Sequence, residues 1–388
     1  MSGTVPPRTV DSRPVTVFLD HGATTPLDPE VRAAMEPYFS DAFGNPSSIH
    51  RLGVEAASAV EQARRRVVAA VGGKRWQVSF TSGGTEANAL AILGSALRGK
   101  RRHVVVSATE HASVLDTARS LSDLGGDHTL VPVGADGRVD PAAVADAVRP
   151  ETVLVCVMFV NNEVGVVAPI EAVAAALRGT RARLFVDAVQ ALGKVPTDPL
   201  AAADLVSISA HKIHGPKGTG ALLSGEDVAL RPLWAGGGQE AGRRSGTQNV
   251  AGIVGLGCAA ERASLALTET GPRMAHLRDK LWGRIREIAP GASIVGSREH
   301  RSPANLSVLL PGMRSEHVLH ALEERGVFAS SGSACHAHET SQSHVLAAMG
   351  VPTSAAVIRL TLGKGTTEAD VDAAAAAFAQ SLGALGRS

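Results

Sequence analysis

The sequence predicts an α/β protein: a large unit with a mainly parallel seven-stranded sheet covered by helices, then a smaller C-terminal α/β unit. Three observations predict it. From about Trp76 to Leu223 short apolar runs alternate with amphipathic stretches of helical period, the signature of βα units. After Gly236-Gly237-Gly238 that alternation gives way to two long helical stretches and resumes on a smaller scale. The chain has 388 residues, more than one core usually serves at roughly 100–200 residues per domain.

In chain order, Ser47 and Ser48 are plausible caps for a long helix to about Val71, ended by Gly72-Gly73. The strands of the large sheet are expected at Gln77–Thr81, His103–Ser107, Thr129–Val133, Thr152–Val160, Arg183–Asp187, Leu205–Ala210 and Gly218–Leu223. Between them fall helices at Thr85–Leu97, Ala112–Leu124, Pro141–Val148 and Ile170–Leu177; Asp140 and Pro141 give the third a cap and a favourable first position. Gln248–Leu267 and Pro272–Ile288 read as two long helices. Strand and helix then alternate through Asn305–Leu310, Glu316–Arg325, Val327–Ser330, Gln342–Met349, Val357–Leu362 and Glu368–Leu382, the last rich in alanine, the best helix former. The expected organisation is an N-terminal arm over 1–15, a large domain over 16–260 and a small domain over 261–388, with the boundary near Ala260.

Hydrophobic residues make up 44% and charged residues 19% of the chain, enough apolar surface to fold. The net charge of +1 supplies no overall drive toward nucleic acid or anionic lipid. The longest strongly apolar run, Val153 to Val160, is far short of the ~20 residues that span a bilayer, so no membrane helix is expected. The N-terminus has no signal pattern, and three cysteines fit a reducing compartment, so a cytoplasmic location is expected.

The chemistry concentrates where predicted strands end. Ser207-Ile-Ser-Ala-His-Lys212 leaves a strand and enters a glycine-rich loop, and Leu184-Phe-Val-Asp187 ends another at the same edge, where open parallel sheets bind ligands. A strand-end carboxylate and a strand-end lysine are what pyridoxal phosphate needs: one holds the pyridine nitrogen protonated, the other bonds the aldehyde. Taken alone, the pair also reads as two surface groups. Phe80-Thr-Ser-Gly-Gly84-Thr85-Glu-Ala-Asn follows a strand and opens a helix, so its amides can cradle a phosphate. Thr109-Glu-His111 ends the next strand, where an imidazole either lies over a cofactor ring or caps the helix.

Read together, these stretches resemble the cysteine desulfurases, in the class V aminotransferase group of fold-type I pyridoxal-phosphate enzymes, from about Phe18 to about Leu382. Further segments carry the likeness: Leu19-Asp-His-Gly-Ala-Thr-Thr-Pro, Phe43-Gly-Asn-Pro-Ser-Ser, Val160-Asn-Asn-Glu-Val-Gly, Val186-Asp-Ala-Val-Gln, Arg244-Ser-Gly-Thr, Ser330-Ser-Gly-Ser-Ala-Cys and Ile358-Arg-Leu-Thr-Leu-Gly. The resemblance implies Lys212 as the Schiff-base lysine, Asp187 on the pyridine nitrogen, Gln190 on the phenolic oxygen and His111 stacked on the ring. It implies Gly84, Thr85, Ser209 and His211 around the phosphate, with Thr247 arriving from the second subunit of a homodimer. Asn162 and Arg359 would hold the carboxylate of L-cysteine, and Cys335 would take its sulfur as a persulfide for a protein acceptor, leaving alanine. The loop from Cys335 to His344 is long, which implies the long-loop group. An aminotransferase or a selenocysteine or cysteine lyase on the same fold is the rival reading, and it has no need of a mobile thiol.

Cys156 and Cys258 sit in apolar runs and read as packing residues, whereas Cys335 lies among polar residues that can support a thiolate. Two features depart from the family. His21-Gly22 stands where many relatives have Asn-Ala or Asn-Ser. His336 and His338 follow the thiol, where they read as solvated or thiolate-stabilising groups; metal binding is the alternative, but the spacing is no settled ligand pattern, and no metal is expected.

Overall fold

The computed structural model describes residues 17–72, 76–331 and 343–385. The chain opens with a two-residue strand, β1 (Val17–Phe18), then helix α1 (Pro29–Met35), which has Asp28 as its cap and proline at its start, then α2 (Arg51–Ala70). The cap of α2 is His50, whose side chain accepts from the Gly53 N–H, and not Ser47 or Ser48. An imidazole nitrogen can do what a hydroxyl does at a helix start, which pattern reading of Ser, Thr, Asp and Asn passes over. The other end behaves as expected at Gly72, whose φ of 114 suits glycine; Gly73 lies outside the described residues.

Seven strands follow: β2 (Trp76–Thr81), β3 (His103–Ser107), β4 (Asp127–Val131), β5 (Thr152–Met158), β6 (Arg183–Asp187), β7 (Leu205–Ser209) and β8 (Gly220–Gly225). They form one sheet in the order β2-β8-β7-β6-β5-β3-β4, parallel except for β8, which runs against both neighbours. The carboxyl ends of β2, β3, β5, β6 and β7 therefore share one edge. Helices α3 (Gly84–Ala96), α4 (Ala112–Ser120), α5 (Pro141–Asp146) and α6 (Ile170–Ala176) make the crossovers. Alternation along the strands divides two cores. Val105, Val155, Val157 and Val186 face the side covered by α2, whereas Val104, Val106, Leu154 and Phe185 face α3 and α4.

The two helices expected around Pro272 are a single helix, α7 (Val250–Ile288), with the proline inside it. Proline removes the donor that the carbonyl of Thr268 would use, but Thr268 and Pro272 both face solvent, so that carbonyl can hydrate and the helix continues. By length and composition α7 could cross a membrane, yet 56% of its most apolar window is buried inside the fold, as in a core helix. Ala259 and Ala260 pack in the large-sheet core, while Leu277, Leu281 and Ile285 pack in another. That other core surrounds a sheet of β9 (Ser293–Ile294), β10 (Asn305–Pro311), β12 (Ser330–Ser331) and β13 (Ala355–Thr361), in the order β12-β13-β10-β9. It also holds α8 (Ser315–Glu323), β11 (Val327–Phe328) and α10 (Glu368–Leu385), with the short α9 (His344–Ala348) beside it. The strand expected at Val327–Ser330 is split: β11 pairs in parallel with β1 and β12 pairs with β13. Val17 and Leu19 thus join the C-terminal core, which both ends of the described chain build.

Candidate active site

Lys212 stands on a single 3-10 turn after β7, which turns its side chain across the sheet edge. Its Nζ donates to the carbonyls of Gly22 and Ala23, 2.7 Å each. Those carbonyls belong to the segment after β1, which is held from both sides. The Thr25 N–H donates to His211 O at 2.9 Å and the Gly22 N–H to Thr361 Oγ1 at 2.7 Å. His21, the departure noted above, is buried; its ring meets Phe18 edge-on at 4.9 Å and lies so close to Gly363 that a Cβ there would stand 2.6 Å from it.

Asp187 ends β6 and is 2% exposed, so the surface reading of this carboxylate is excluded. Its Oδ1 accepts from the Val189 N–H at 3.0 Å and its Oδ2 from Asn88 Nδ2 at 2.8 Å. Burial pushes the carboxyl up, against these bonds and the attraction of His111 and Lys212. A cationic ring nitrogen is the partner that would restore its charged form. His111 both lines the cavity and caps α4: its Nδ1 accepts from the Ser113 N–H at 3.1 Å and lies 2.8 Å from Ser113 Oγ. Burial lowers its pKa, with Asp187 opposing and Lys212 assisting, which favours the neutral ring; because Nδ1 accepts, that form carries its proton on Nε2.

The hollow expected to take a phosphate lies at the first turn of α3. Its floor is β8, where a Cβ on Gly220 would stand 2.8 Å from Gly83 Cα, so only glycine lets the strand pass beneath the turn. Glu86 closes the turn by accepting from the Ser82 N–H at 2.7 Å and from Arg244 Nε at 3.0 Å. Burial raises the Glu86 carboxyl, but these bonds outweigh it and hold it below its ordinary value. Thr85, Ser209 and His211 line the same hollow. The His211 imidazole is pulled to about 4 by burial and by Lys212, Lys217 and Lys194, so it is neutral there.

Arg359, on β13, reaches the cavity from the C-terminal sheet and is 4% exposed. One terminal nitrogen donates to the Asn162 carbonyl at 3.0 Å and the other to Asp20 Oδ1 at 2.8 Å. Its Nε–H is buried with no acceptor among the described residues, a donor suited to a carboxylate; the Asn162 Oδ1 is likewise unpartnered, but it can only accept.

All the predicted site residues except Thr247 and Cys335 line one cavity of about 340 Å³. Thr247 is exposed and does not line it. Cys335, His336 and His338 lie outside the described residues. The chain returns from that segment at Ser343 and His344, both in the cavity wall. Ser343 Oγ donates to Glu163 Oε2 at 2.5 Å and accepts from the Val345 N–H at 3.1 Å, while His344 Nε2 meets the Glu110 carbonyl at 2.8 Å. The Glu163 carboxyl is raised to about 7 by burial, against the Ser343 bond and Arg359.

Sequence reading missed Asp20, Asn88, Glu163 and Lys194. Only Asn88 carried a usable signal, since it lies three residues after Thr85 and hence on the same helix face. Cys156 is fully buried and Cys258 partly so; burial raises both thiols, consistent with packing.

The residues fit pyridoxal phosphate: an amine, a buried carboxylate, a glycine-floored helix start and a buried guanidinium with an unpartnered N–H border one space. Comparison with known proteins agrees. The profile described as "Aminotransferase class-V" matches residues 17–374. A cysteine desulfurase IscS of Dictyoglomus turgidum is 41% identical over 362 residues, 92% of either chain. A solved NifS-like protein superposes with TM-score 0.88 at 36% identity, covering 95% of this chain and 99% of that one. SspA in complex with cysteine gives 0.80 at 32% identity, covering 91% and 100%.

Proposed function

The chain belongs to the aminotransferase class-V family and is a pyridoxal-phosphate-dependent cysteine desulfurase, and from that premise we propose how its own residues divide the work. Pyridoxal phosphate, when bound, would supply an electron sink that acts on the substrate Cα through the substrate's amino nitrogen. Lys212 bonds it and afterwards moves the proton at the substrate Cα, released from the two carbonyls that hold its amine. Asp187 faces the pyridine nitrogen, Gln190 the phenolic oxygen and His111 the ring. Gly84, Thr85, Ser209 and His211 receive the phosphate, and Thr247 of a second subunit completes the cradle in a homodimer.

Arg359 and Asn162 hold the carboxylate of L-cysteine. The fork of the guanidinium suits a carboxylate, and its two anchors leave N–H groups for one. The Cys335 thiolate then attacks the substrate sulfur. A sulfur–sulfur bond forms, the carbon–sulfur bond breaks with its electron pair passing to carbon, and protonation yields alanine, so no outside reductant is needed. Sulfur leaves on Cys335 for a protein acceptor. This reading places the enzyme in the cytoplasm on a soluble substrate; the balanced charge supplies no drive toward nucleic acid or anionic lipid, and α7 packs as a core helix. The division into a large domain to about Ala260 and a small one beyond is supported by α7, whose two ends pack in different cores.

One observation carries the assignment: Lys212 at the end of β7 and Asp187 at the end of β6 share one cavity with the first turn of α3. Borohydride reduction of the loaded enzyme followed by peptide mapping tests it. The cofactor should be fixed to the peptide containing Lys212, and attachment to any other lysine overturns the assignment.

A further inference from the structure

Lys194 lies one turn beyond Gln190, and its ammonium donates to Gln190 Oε1 at 2.6 Å. At the other end of the same amide, Nε2 donates to the Gly22 carbonyl at 2.8 Å. That carbonyl also accepts from Lys212 Nζ at 2.7 Å, so the two lysines belong to one network. An ammonium can only donate and a carbonyl can only accept. The two partners agree on one amide orientation, oxygen toward Lys194 and nitrogen toward Gly22, and both bonds together hold it. The amide nitrogen carries two hydrogens. One serves Gly22, and the second is left for the cavity that Gln190 lines.

We propose that Lys194 is the positioning residue that fixes this orientation, so that Gln190 presents an N–H, and not a carbonyl oxygen, to the phenolic oxygen of pyridoxal phosphate. The inference rests on the cofactor reading above and deepens it. Without Lys194 the buried Oε1 loses its donor, and a single bond from Nε2 to the Gly22 carbonyl is left to hold the amide. Turning the amide over would bring a lone pair to the place where an ionised phenol needs a proton. Burial, with repulsion from Lys212 and Arg359, pulls the Lys194 amine down to about 7, and His21, His211 and His214 also feel its charge. A neutral amine still carries N–H groups, so donation to Oε1 survives loss of the charge.

The test is the pH midpoint of the visible absorbance change of the bound cofactor, measured on the loaded wild type and on Lys194→Met, Lys194→Arg, Gln190→Leu and the Lys194→Met/Gln190→Leu double variant. Loss of a donor to the phenolic oxygen leaves the Lys212 linkage more basic. Lys194→Met should raise the midpoint by about one pH unit, the size expected for one hydrogen bond to a charged group. Lys194→Arg should restore most of the shift, and the double variant should match Gln190→Leu alone, because a residue acting through another adds nothing once that other is gone. An unmoved midpoint in Lys194→Met, or shifts that add in the double variant, overturns the proposal. A wild-type protein without the visible band would overturn the cofactor reading on which it stands, a failure distinct from an unmoved midpoint.

Discussion

Arg359→Ala should raise the Michaelis constant for L-cysteine far more than it lowers kcat. The guanidinium is nearly enclosed, and its bonds to the Asn162 carbonyl and Asp20 turn the remaining N–H groups toward the cavity. A charge-assisted fork to a carboxylate in such a place contributes about 2–5 kcal/mol. At about 1.4 kcal/mol per factor of ten, that corresponds to roughly 30-fold to several thousand-fold in substrate capture. Asp20 loses its partner in the variant, but its side chain is 20% exposed and can be rehydrated, so the folding cost should stay near 1–2 kcal/mol, about the size of one hydrogen bond to a charged group. Arg359→Lys should recover little, because one ammonium cannot serve the Asn162 carbonyl, Asp20 and the substrate together. Asp20→Asn should fall between, keeping the charge but loosening its aim. The assay is alanine formation against cysteine concentration, with a thermal melt to show that each variant is folded. An unchanged Michaelis constant in folded Arg359→Ala would refute the role.

Asp187→Ala should still take up the cofactor, held by the phosphate cradle and Lys212, yet lose turnover by several orders of magnitude in an alanine-formation assay. Cys335→Ser should bind cofactor and cysteine but form no persulfide, since a hydroxyl is a far poorer nucleophile toward sulfur than a thiolate; alanine at the wild-type rate would favour the lyase reading. Asp28→Asn should destabilise the fold by about 1–2 kcal/mol at pH 7 while preserving the cap of α1. Burial works against the Asp28 carboxyl, but bonds from Lys364 and the Glu30 N–H hold it at about 2. A depressed carboxyl stabilises above its unfolded value near 4, so the difference in melting temperature should disappear as pH falls from about 4 toward 2. Glu110→Gln should behave oppositely. Glu110 is fully buried and burial raises its carboxyl well above the ordinary range, so the folded state holds a proton that the unfolded chain releases above about 4.5. The variant should therefore melt above wild type at pH 7 and lose that advantage near pH 4; equal melting temperatures at both would show that this carboxyl is not costly.

Local signals made most of this molecule legible. Buried strands such as His103–Ser107 and Arg183–Asp187 read directly because apolar runs end at polar chemistry, and those ends are the site. Reading failed where the deciding contact is remote in sequence. Asp20 and Arg359 meet across nearly the whole chain, and no pattern near either residue announces the other. The same holds for Ser343 on Glu163. Lys194 was passed over because a lysine after a glycine reads as solvent-facing until burial is known. Pro272 misled because its helix-breaking cost depends on whether the orphaned carbonyl faces water, which follows from packing. Pattern reading passes over the cap at His50 because composition rules favour the hydroxyls two and three residues earlier.

The central claim is that sulfur removed from L-cysteine comes to rest on Cys335. Mass analysis of the loaded protein after a single exposure to L-cysteine without reductant tests it directly. The peptide containing Cys335 should gain the mass of one sulfur atom, with alanine released in equal amount, while the peptides containing Cys156 and Cys258 stay unchanged. Alanine released with no gain of mass at Cys335, or with the sulfur on another cysteine, would contradict the account.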